Sequence, residues 1–225
     1  MLGNNPKRRP EKHDGHSLYV KKIFKTLQGE GPNVGTPAIF VRLGGCNLAC
    51  SFCDTEFEDY NEIAIIDIIE QVSRLSLNNL GQKSVHLIVI TGGEPFRQEL
   101  MPFCKALIQN NFKVQIETNG TLYRKIPNEV EVVCSPKVVN EKYLSIREEL
   151  IPHISALKFL ISTSIKTYST VPELGQTRFG IDVFVQAMDQ YDEVLNKKNK
   201  DLTIDIALNN GYRLSYQIHK ELKIE

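Results

Sequence analysis

Three cysteines, Cys46, Cys50 and Cys53, lie within a span of eight residues, directly after an apolar run that ends in Gly44-Gly45. Thiolates are soft, negative ligands that bind zinc and iron-sulfur clusters. Structural zinc sites and electron-transfer clusters normally use four protein ligands, whereas a centre held by three keeps one position open for a substrate or cofactor. The spacing therefore indicates a metal centre that carries out chemistry.

A fourth thiolate would have to come from Cys104 or Cys134, the two cysteines outside this group. Cys104 lies in a run with helical spacing and Cys134 ends a strand-like run, so the sequence predicts that both are buried, inert thiols. If either supplied the fourth ligand, the chain would be a non-catalytic iron-sulfur or zinc protein. The odd total of five cysteines argues against a disulfide framework and predicts a reducing, cytoplasmic compartment.

Composition narrows the class of protein further. The 225 residues fit one domain with a sizeable core, and 41% of them are hydrophobic, as is ordinary for a globular protein. The formal net charge is zero, so no basic field favours nucleic acid, and the apolar runs are too short to cross a membrane. Residues 1–16 are polar and predict a flexible N-terminal tail, which leaves residues 17–225 as a single domain.

Hydrophobic periodicity predicts alternating strands and helices along this domain. Strands are predicted at residues 18–26, 36–43, 85–90, 113–117, 130–134, 156–161 and 181–187, and helices at residues 65–77, 98–110 and, for the most part, 189–209. Short strands joined by helical crossovers indicate an α/β fold with a mainly parallel sheet. The strand-helix pairs are too few for the eight units of a full barrel.

Polar segments that favour turns follow several of the predicted strands directly. They are the cysteine loop and residues 91–95, 118–121, 135–137 and 188–189. Gly, Pro, Asn and Ser are common wherever strands end, so each segment alone is weak evidence for a site. Because the carboxyl ends of parallel strands share one edge, where α/β proteins bind ligands, we expect these segments to converge around the cysteines.

The cysteine spacing, Cys-x3-Cys-x2-Cys, together with Thr91-Gly92-Gly93-Glu94-Pro95, resembles the radical S-adenosylmethionine (radical SAM) enzymes over nearly the whole chain. The resemblance implies an incomplete, parallel TIM-like (β/α) barrel and a 4Fe-4S cluster held by the three thiolates. In that family the fourth iron binds S-adenosylmethionine, and an electron from the cluster cleaves it to a 5′-deoxyadenosyl radical. The two glycines would let the backbone approach the ligand, so that a strand-end carbonyl or the Glu94 carboxylate accepts hydrogen bonds from the methionyl ammonium.

Five segments narrow the resemblance to one branch of that family. They are residues 26–32, 53–55, 117–121, 135–137 and 213–220. This branch converts 6-carboxy-5,6,7,8-tetrahydropterin to 7-carboxy-7-deazaguanine with loss of ammonia, a step toward queuosine, a modified nucleoside of tRNA. The resemblance implies hydrogen abstraction at C6 of the pterin, ring contraction and return of the hydrogen, with magnesium fixing the substrate carboxylate. It also implies a homodimer and an external flavodoxin- or ferredoxin-like electron donor.

Carried over position by position, the resemblance assigns residues to each ligand. The 4Fe-4S cluster is expected on Cys46, Cys50 and Cys53, and Mg²⁺ on Thr55. S-adenosylmethionine is expected to bind Phe52, Cys53, Asp54, Gly93, Ser135, Pro136, Lys137, Gln186, Ala187, Met188 and Asp189. The substrate is expected to bind Leu27, Gln28, Gly29, Glu30, Arg42, Thr91, His219 and Glu225.

Charge and geometry support several of these expectations. The Glu30 carboxylate matches paired N–H donors on the amidine-like edge of the pterin, and the Arg42 guanidinium suits the substrate carboxylate. One Thr55 hydroxyl and a substrate carboxylate suit Mg²⁺, which keeps several of its waters. The sequence departs from the family at Ala187, where proline is usual, so the backbone there is expected to be less constrained.

An alternative within the family is an activase that installs a glycyl radical on a partner protein and has the same cysteine spacing. Residues 28–31 and 53–55 favour a small polar substrate instead. A non-catalytic metal protein is the alternative from another class, and it predicts a fourth ligand at Cys104 or Cys134.

Overall fold

A computed structural model describes residue 3 and residues 5–224 of the chain. Its strands are β1 (Ser17–Leu27), β2 (Pro37–Leu43), β3 (Asn61–Ala64), β4 (Leu87–Gly92), β5 (Lys113–Thr118), β6 (Glu131–Cys134), β7 (Val138–Val139), β8 (Lys142–Tyr143), β9 (Ile154–Ile161), β10 (Asp182–Ala187) and β11 (Arg213–Ser215). Its helices are α1 (Ile65–Leu75), α2 (Met101–Gln109), α3 (Gln176–Phe179), α4 (Glu193–Asn210) and α5 (Ile218–Glu221). Short 3-10 helices lie at Gly31–Asn33, Pro95–Arg97, Glu148–His153 and Lys166–Tyr168.

Nine of the described strands form one sheet in the order β11-β10-β9-β6-β5-β4-β2-β1-β3. From β11 to β2, neighbouring strands are parallel, with Phe40 of β2 opposite Val89 of β4 and Val89 opposite Gln115 of β5. At the other end, β1 pairs antiparallel with β2, and β3 pairs antiparallel with β1. The mostly parallel sheet with helical crossovers confirms the predicted α/β fold, an incomplete TIM-like barrel.

Alternation along the strands separates the core from a cavity inside the barrel. In β2, Ile39, Val41 and Leu43 are buried in the main hydrophobic core, whereas Phe40 and Arg42 line the cavity. This follows from the period of two in a strand, which points successive side chains to opposite faces of the sheet. The core face is covered by α1 and α2, which contact each other, and by α4, which packs on β10.

The predicted strands and helices are present, with ends within four residues of the predicted ones. The hairpin β7–β8 and the short strands β3 and β11 were not predicted, because their few residues show no clear alternation of apolar and polar side chains. None of the helices in the described part of the chain is both long enough and apolar enough to cross a bilayer.

The described residues before β1 contact the rest of the chain, whereas the sequence predicts a flexible tail over residues 1–16. The Arg8 N–H donates to the Cys46 carbonyl (2.7 Å). The buried Arg97 guanidinium donates to the Arg9 carbonyl (2.7 Å). A polar segment packs here because groups distant in sequence supply its hydrogen-bond partners, and no local pattern shows this.

Candidate active site

One cavity opens at the carboxyl ends of the parallel strands, where the strand-end segments meet the cysteine loop. The structure places these predicted ligand-binding residues in its wall: Leu27, Gln28, Gly29, Glu30, Arg42, Cys46, Cys50, Phe52, Cys53, Asp54, Thr55, Thr91, Gly93, Ser135, Lys137, Gln186, Ala187, Met188, Asp189 and His219. Pro136 is the one described residue of the predicted set that is not in the wall. Glu225 lies outside the described residues. Which ligand each residue binds stays a prediction.

The cysteine loop follows β2 and is held by the segment after β5. Asn119 Nδ2 donates to Asn47 Oδ1 (3.0 Å), and Asn47 Nδ2 donates to Thr121 Oγ1 (2.8 Å). Within the loop, the Cys53 N–H donates to the Cys50 carbonyl (3.1 Å). Two strand ends that are far apart in sequence therefore fix the positions of the three thiols.

The loop thiols lie in surroundings that suit metal ligands. Cys46 packs with Leu48 and Phe57, and burial raises the pKa of all three loop thiols, that of Cys46 to about 12. A thiol in such a pocket loses its proton readily only when a metal cation takes the proton's place. The donor set and its surroundings therefore fit a cluster held by three thiolates.

The two other cysteines are placed elsewhere. Cys104 and Cys134 are fully buried in the core, and neither is among the described residues of the cavity wall. Within the described residues, no three His, Cys, Asp or Glu side chains are grouped to hold a single metal ion. A 4Fe-4S cluster differs from a single ion in that each thiolate binds a different iron.

Gly93 brings the segment after β4 against the cysteine loop. A Cβ at Gly93 would lie 2.1 Å from the Gly45 carbonyl oxygen and 2.8 Å from the Cys46 nitrogen, so any side chain there would displace the loop. The Glu94 N–H donates to the same Gly45 carbonyl (3.0 Å). The two motifs that carry the resemblance are thus in direct backbone contact.

The Glu94 carboxylate is fully buried and bonds to protein groups rather than lining the cavity. It accepts hydrogen bonds from the Thr118 hydroxyl (2.7 Å), the Asn119 N–H (2.8 Å) and the Phe96 N–H (3.1 Å). Burial raises the pKa of this carboxyl group. The geometry corrects the expectation that Glu94 contacts the methionyl ammonium and leaves a strand-end carbonyl as the expected acceptor.

A buried ammonium, Lys158 on β9, lies between two carboxylates in the cavity wall. Its Nζ forms ion pairs with Glu30 and, at 3.0 Å, with Glu117 Oε2. Gln217 Nε2 donates to Glu30 Oε1 (2.7 Å), and Gln28 Nε2 donates to Glu117 Oε1 (3.3 Å). We call Glu30, Lys158 and Glu117 the charged triad. With all three groups ionised, it carries one net negative charge into the cavity.

The charged triad shifts the pKa values of its own members. Burial would raise the pKa of Glu30, but the Lys158 ammonium and the Gln217 amide outweigh it and hold this pKa at about 2. Burial would likewise lower the pKa of Lys158, but the two carboxylates more than offset it and raise that pKa. For Glu117, burial raises the pKa and Lys158 offsets it only in part. Glu117 is therefore the carboxylate of the triad that protonates more readily.

The stabilisation from Glu30 is expected to be lost as the pH falls from 4.5 toward 2. Its pKa is about 2 in the folded chain against an ordinary value of 4.5, so the unfolded chain binds the proton more tightly. The contribution is fully present above pH 4.5 and decreases as the folded carboxylate protonates. Urea unfolding of the cluster-free wild-type and Glu30→Gln chains measures this contribution. The difference between their free energies of unfolding is expected to become smaller as the pH is lowered. An equal difference at about pH 5 and about pH 3 would contradict it.

Comparison with known proteins places the chain in a family. The radical SAM superfamily model matches residues 40–169, which is more than half of the chain. The 7-carboxy-7-deazaguanine synthase of Rickettsia prowazekii (strain Madrid E) is 57% identical to it, over 100% of this chain and 96% of the relative. That of Rhodospirillum rubrum is 37% identical over 100% of both chains. The chain belongs to the 7-carboxy-7-deazaguanine synthase family.

A solved structure gives the 7-carboxy-7-deazaguanine synthase family the same fold. The crystal structure of QueE from Escherichia coli matches with a TM-score of 0.73 at 26% identity, covering 89% of this chain and 94% of that chain. Membership confirms the resemblance drawn from the cysteine spacing and residues 91–95. It identifies the chain as a radical SAM enzyme, a class that uses a 4Fe-4S cluster and S-adenosylmethionine, and the three-thiol loop fits both. The activase and the non-catalytic metal protein gain no support.

The C-terminal segment of this 7-carboxy-7-deazaguanine synthase family member closes one side of the cavity. Lys220 Nζ donates to Asp54 Oδ2 (2.9 Å) and to Asp189 Oδ2 (2.8 Å), which joins the cysteine loop to the segment after β10. The Ile218 N–H donates to the Gly29 carbonyl (3.2 Å). These contacts hold α5 so that His219, which it carries, lines the cavity.

Sequence reasoning did not assign site roles to several residues that the structure places in or around the cavity. They are Asn5, Glu117, Asn119, Lys158, Gln217 and Lys220. One signal was available for Lys158, which interrupts the apolar sequence Ile-Ser-Ala-Leu-Lys-Phe-Leu-Ile of β9. A charged residue in a buried strand needs a partner, so it points to a paired or functional group.

Proposed function

We propose that the chain converts 6-carboxy-5,6,7,8-tetrahydropterin to 7-carboxy-7-deazaguanine with loss of ammonia, in keeping with the name of its relatives. The observation that carries the proposal is one cavity lined by the three-thiol loop, the charged triad and Arg42. The thiol loop suits the cofactors, and the polar groups suit a ligand with several N–H donors and a carboxylate. When bound, the cluster and S-adenosylmethionine supply the radical that abstracts hydrogen from C6.

The charged triad would bind the amidine-like edge of the pterin. Each carboxylate oxygen has two lone pairs, so Glu30 and Glu117 can accept hydrogen bonds from the substrate while they keep their bonds to Lys158. The net negative charge favours a ligand edge made of N–H donors. The protein groups around the triad hold both carboxylates in place before the substrate arrives.

Arg42 would bind the substrate carboxylate. Its guanidinium carbon lies 5.5 Å from the centre of the Phe24 ring, and that ring stacks on Phe40 at 5.4 Å. Packing over an aromatic face limits the orientations of a guanidinium group, which suits a contact through two parallel hydrogen bonds.

The S-adenosylmethionine pocket would lie between the cysteine loop and the segments after β6 and β10. Lys137 Nζ donates to the Ser135 carbonyl (2.6 Å) and hydroxyl (2.7 Å), and the Phe52 ring packs edge-on against Tyr168. Gln186 is buried and accepts a hydrogen bond from the Ser215 hydroxyl (2.7 Å). Fixed polar groups and a held aromatic ring would orient the cofactor and exclude water from it.

Mg²⁺ would bind the Thr55 hydroxyl together with the substrate carboxylate. That hydroxyl donates to Asp54 Oδ1 at 3.3 Å, a long hydrogen bond that a metal ligand bond can replace. Thr55 and Cys53 both lie in the cavity wall. Mg²⁺ takes few protein oxygens and keeps several waters, which agrees with one hydroxyl ligand.

The Thr55→Ala variant is expected to lose most of the stimulation of turnover by magnesium. Removal of a metal ligand weakens metal binding by about tenfold or more, which a titration of activity against Mg²⁺ concentration measures. The Thr55→Ser variant keeps a hydroxyl and is expected to resemble the wild-type enzyme. Full magnesium stimulation in Thr55→Ala would show that the metal binds elsewhere.

The homodimer, the electron donor and the compartment belong to the same proposal. The described sheet ends at β3 and β11, and a partner subunit would cover an open side of the barrel. The cluster would receive its electron from an external flavodoxin- or ferredoxin-like protein. The five free cysteines suit the reducing conditions of the cytoplasm.

Deuterium transfer tests the proposed reaction. Substrate that carries deuterium at C6 is expected to give deuterium in 5′-deoxyadenosine, read by mass spectrometry. The 7-carboxy-7-deazaguanine is expected to carry none, because its ring carbon that derives from C6 bears no hydrogen. Substrate labelled at C7 instead serves as the control and is expected to give unlabelled 5′-deoxyadenosine. Label transfer from C7 would contradict abstraction at C6.

A further inference from the structure

We propose that residues 5–11, which we call the N-terminal strap, are a positioning element of the active site that holds the cysteine loop and shields its thiols from solvent. The first contact lies at the beginning of the loop. Lys7 forms a parallel β-bridge with Cys46, and the Arg8 N–H donates to the Cys46 carbonyl at 2.7 Å. The strap thus pairs through its backbone with a residue that carries one of the three thiols.

The second contact lies at the end of the loop. Asn5 is 9% exposed and lines the cavity, and its Nδ2 donates to the Thr55 carbonyl at 2.9 Å. Cys53 Sγ lies 3.4 Å from the same carbonyl oxygen. The strap therefore contacts the loop on both sides of its cysteines, and Asn5 fixes the backbone of the residue expected to bind Mg²⁺.

Arg97 joins the strap to the rest of the barrel. Its side chain is 1% exposed, and its guanidinium donates to the Arg9 carbonyl (2.7 Å), to Glu11 Oε1 (2.6 Å) and to the Gly44 carbonyl (2.9 Å). Two of these partners are on the strap, and the third is in the turn directly before Cys46. A buried guanidinium must have its N–H groups paired, so the strap is required by the packing of Arg97.

Gly45 provides the space for this arrangement. A Cβ there would lie 2.2 Å from Arg97 Nη1 and 3.2 Å from Arg8 Cγ, and Gly45 has a φ of +73°, which glycine adopts readily. The same glycine accepts the Glu94 N–H through its carbonyl. The turn that leads into the cysteine loop is therefore built to contact the strap on one side and the segment after β4 on the other.

Thiol alkylation of the cluster-free full chain tests the proposal. The Arg8→Pro variant removes the N–H that donates to Cys46, whereas the matched Arg8→Ala variant removes the side chain and keeps the N–H. With iodoacetamide and site-resolved mass spectrometry, we expect Arg8→Pro to raise the alkylation rate of Cys46 about fivefold over Arg8→Ala, as the loss of one hydrogen bond implies.

A second variant addresses the other end of the loop. Asn5→Ala is expected to raise the alkylation rate of Cys53 by a similar factor, about fivefold, and to affect Cys46 less. The buried thiols Cys104 and Cys134 report global unfolding in the same samples, because they lie in the core away from the strap. Their alkylation rates are expected to stay at the wild-type values in both variants.

The cluster-loaded enzyme provides an independent readout. We expect Arg8→Pro and Asn5→Ala to release iron to a chelator faster than Arg8→Ala and the wild-type chain, by about the same fivefold. Two results would overturn the proposal. One is unchanged alkylation of Cys46 and Cys53 in both variants. The other is an equal rise in the alkylation rates of the core thiols Cys104 and Cys134, which would show that the strap contributes only to the global stability of the chain. Neither readout requires the pterin substrate.

Discussion

The Lys158→Met variant is expected to unfold with a free energy about 3–5 kcal/mol below that of the wild-type chain at neutral pH. Lys158 is 5% exposed and is the cation between the Glu30 and Glu117 carboxylates. Methionine keeps much of the volume of the side chain but leaves the two buried carboxylates without a cation, and they then repel each other. Urea unfolding of the cluster-free proteins, followed by circular dichroism, measures the difference.

Two further variants isolate the effect of the buried charge. Lys200→Met breaks an exposed ion pair with Glu221, whose atoms are 3.5 Å apart, and is expected to change the free energy of unfolding by less than about 1 kcal/mol. Adding Glu117→Gln to Lys158→Met removes one of the uncompensated charges and is expected to recover part of the loss. If Lys158→Met were as stable as Lys200→Met, the triad would not be the buried ionic group described above.

The Cys50→Ala variant is expected to lose turnover by at least about a hundredfold, since even residues that only support a metal ligand change affinity or activity by 10–100-fold. The iron content of the reconstituted protein is expected to fall with it. Cys50 lies in the cavity wall. Without its thiolate, the iron that it would bind has no protein ligand, and only two thiolates hold the cluster. Iron analysis and the rate of 5′-deoxyadenosine formation under anaerobic conditions measure both quantities.

Cys134→Ala and Cys104→Ala are the matched controls for this variant. Both thiols are in the core and outside the described cavity wall, so each substitution is expected to lower stability by about 1 kcal/mol while the iron content stays at the wild-type value. Loss of iron in either control would contradict a three-thiolate centre and would favour the fourth-ligand alternative.

Much of the barrel could be predicted because most of its parallel strands are short and apolar, and the helices α1, α2 and α4 separate several of them. The buried sequence of β4 and the segment of residues 91–95 at its carboxyl end show both the strand and its functional end without any tertiary information. Convergence at one sheet edge then follows from the parallel arrangement of the strands, since their carboxyl ends share that edge. The loop after β2 could be placed at the site for the same reason.

The contacts between distant segments could not be predicted in the same way. Glu94 was expected to face the cofactor, but its carboxylate joins the segments after β4 and β5 inside the protein. Residues 5–11 have the composition of a tail, and tertiary contacts such as those to the buried side chain of Arg97 show that they pack. Local patterns report the period and the polarity of a segment, whereas the partner of a polar group depends on the tertiary fold.

One anaerobic assay tests the central claim most directly. The reconstituted enzyme is mixed with dithionite, S-adenosylmethionine, Mg²⁺ and 6-carboxy-5,6,7,8-tetrahydropterin, and the products are read by mass spectrometry. We predict 7-carboxy-7-deazaguanine, formed only when S-adenosylmethionine is present. Cleavage to 5′-deoxyadenosine without any deazaguanine would contradict the proposed substrate, and a cluster-loaded, reduced protein that formed neither product would contradict the proposed reaction as a whole.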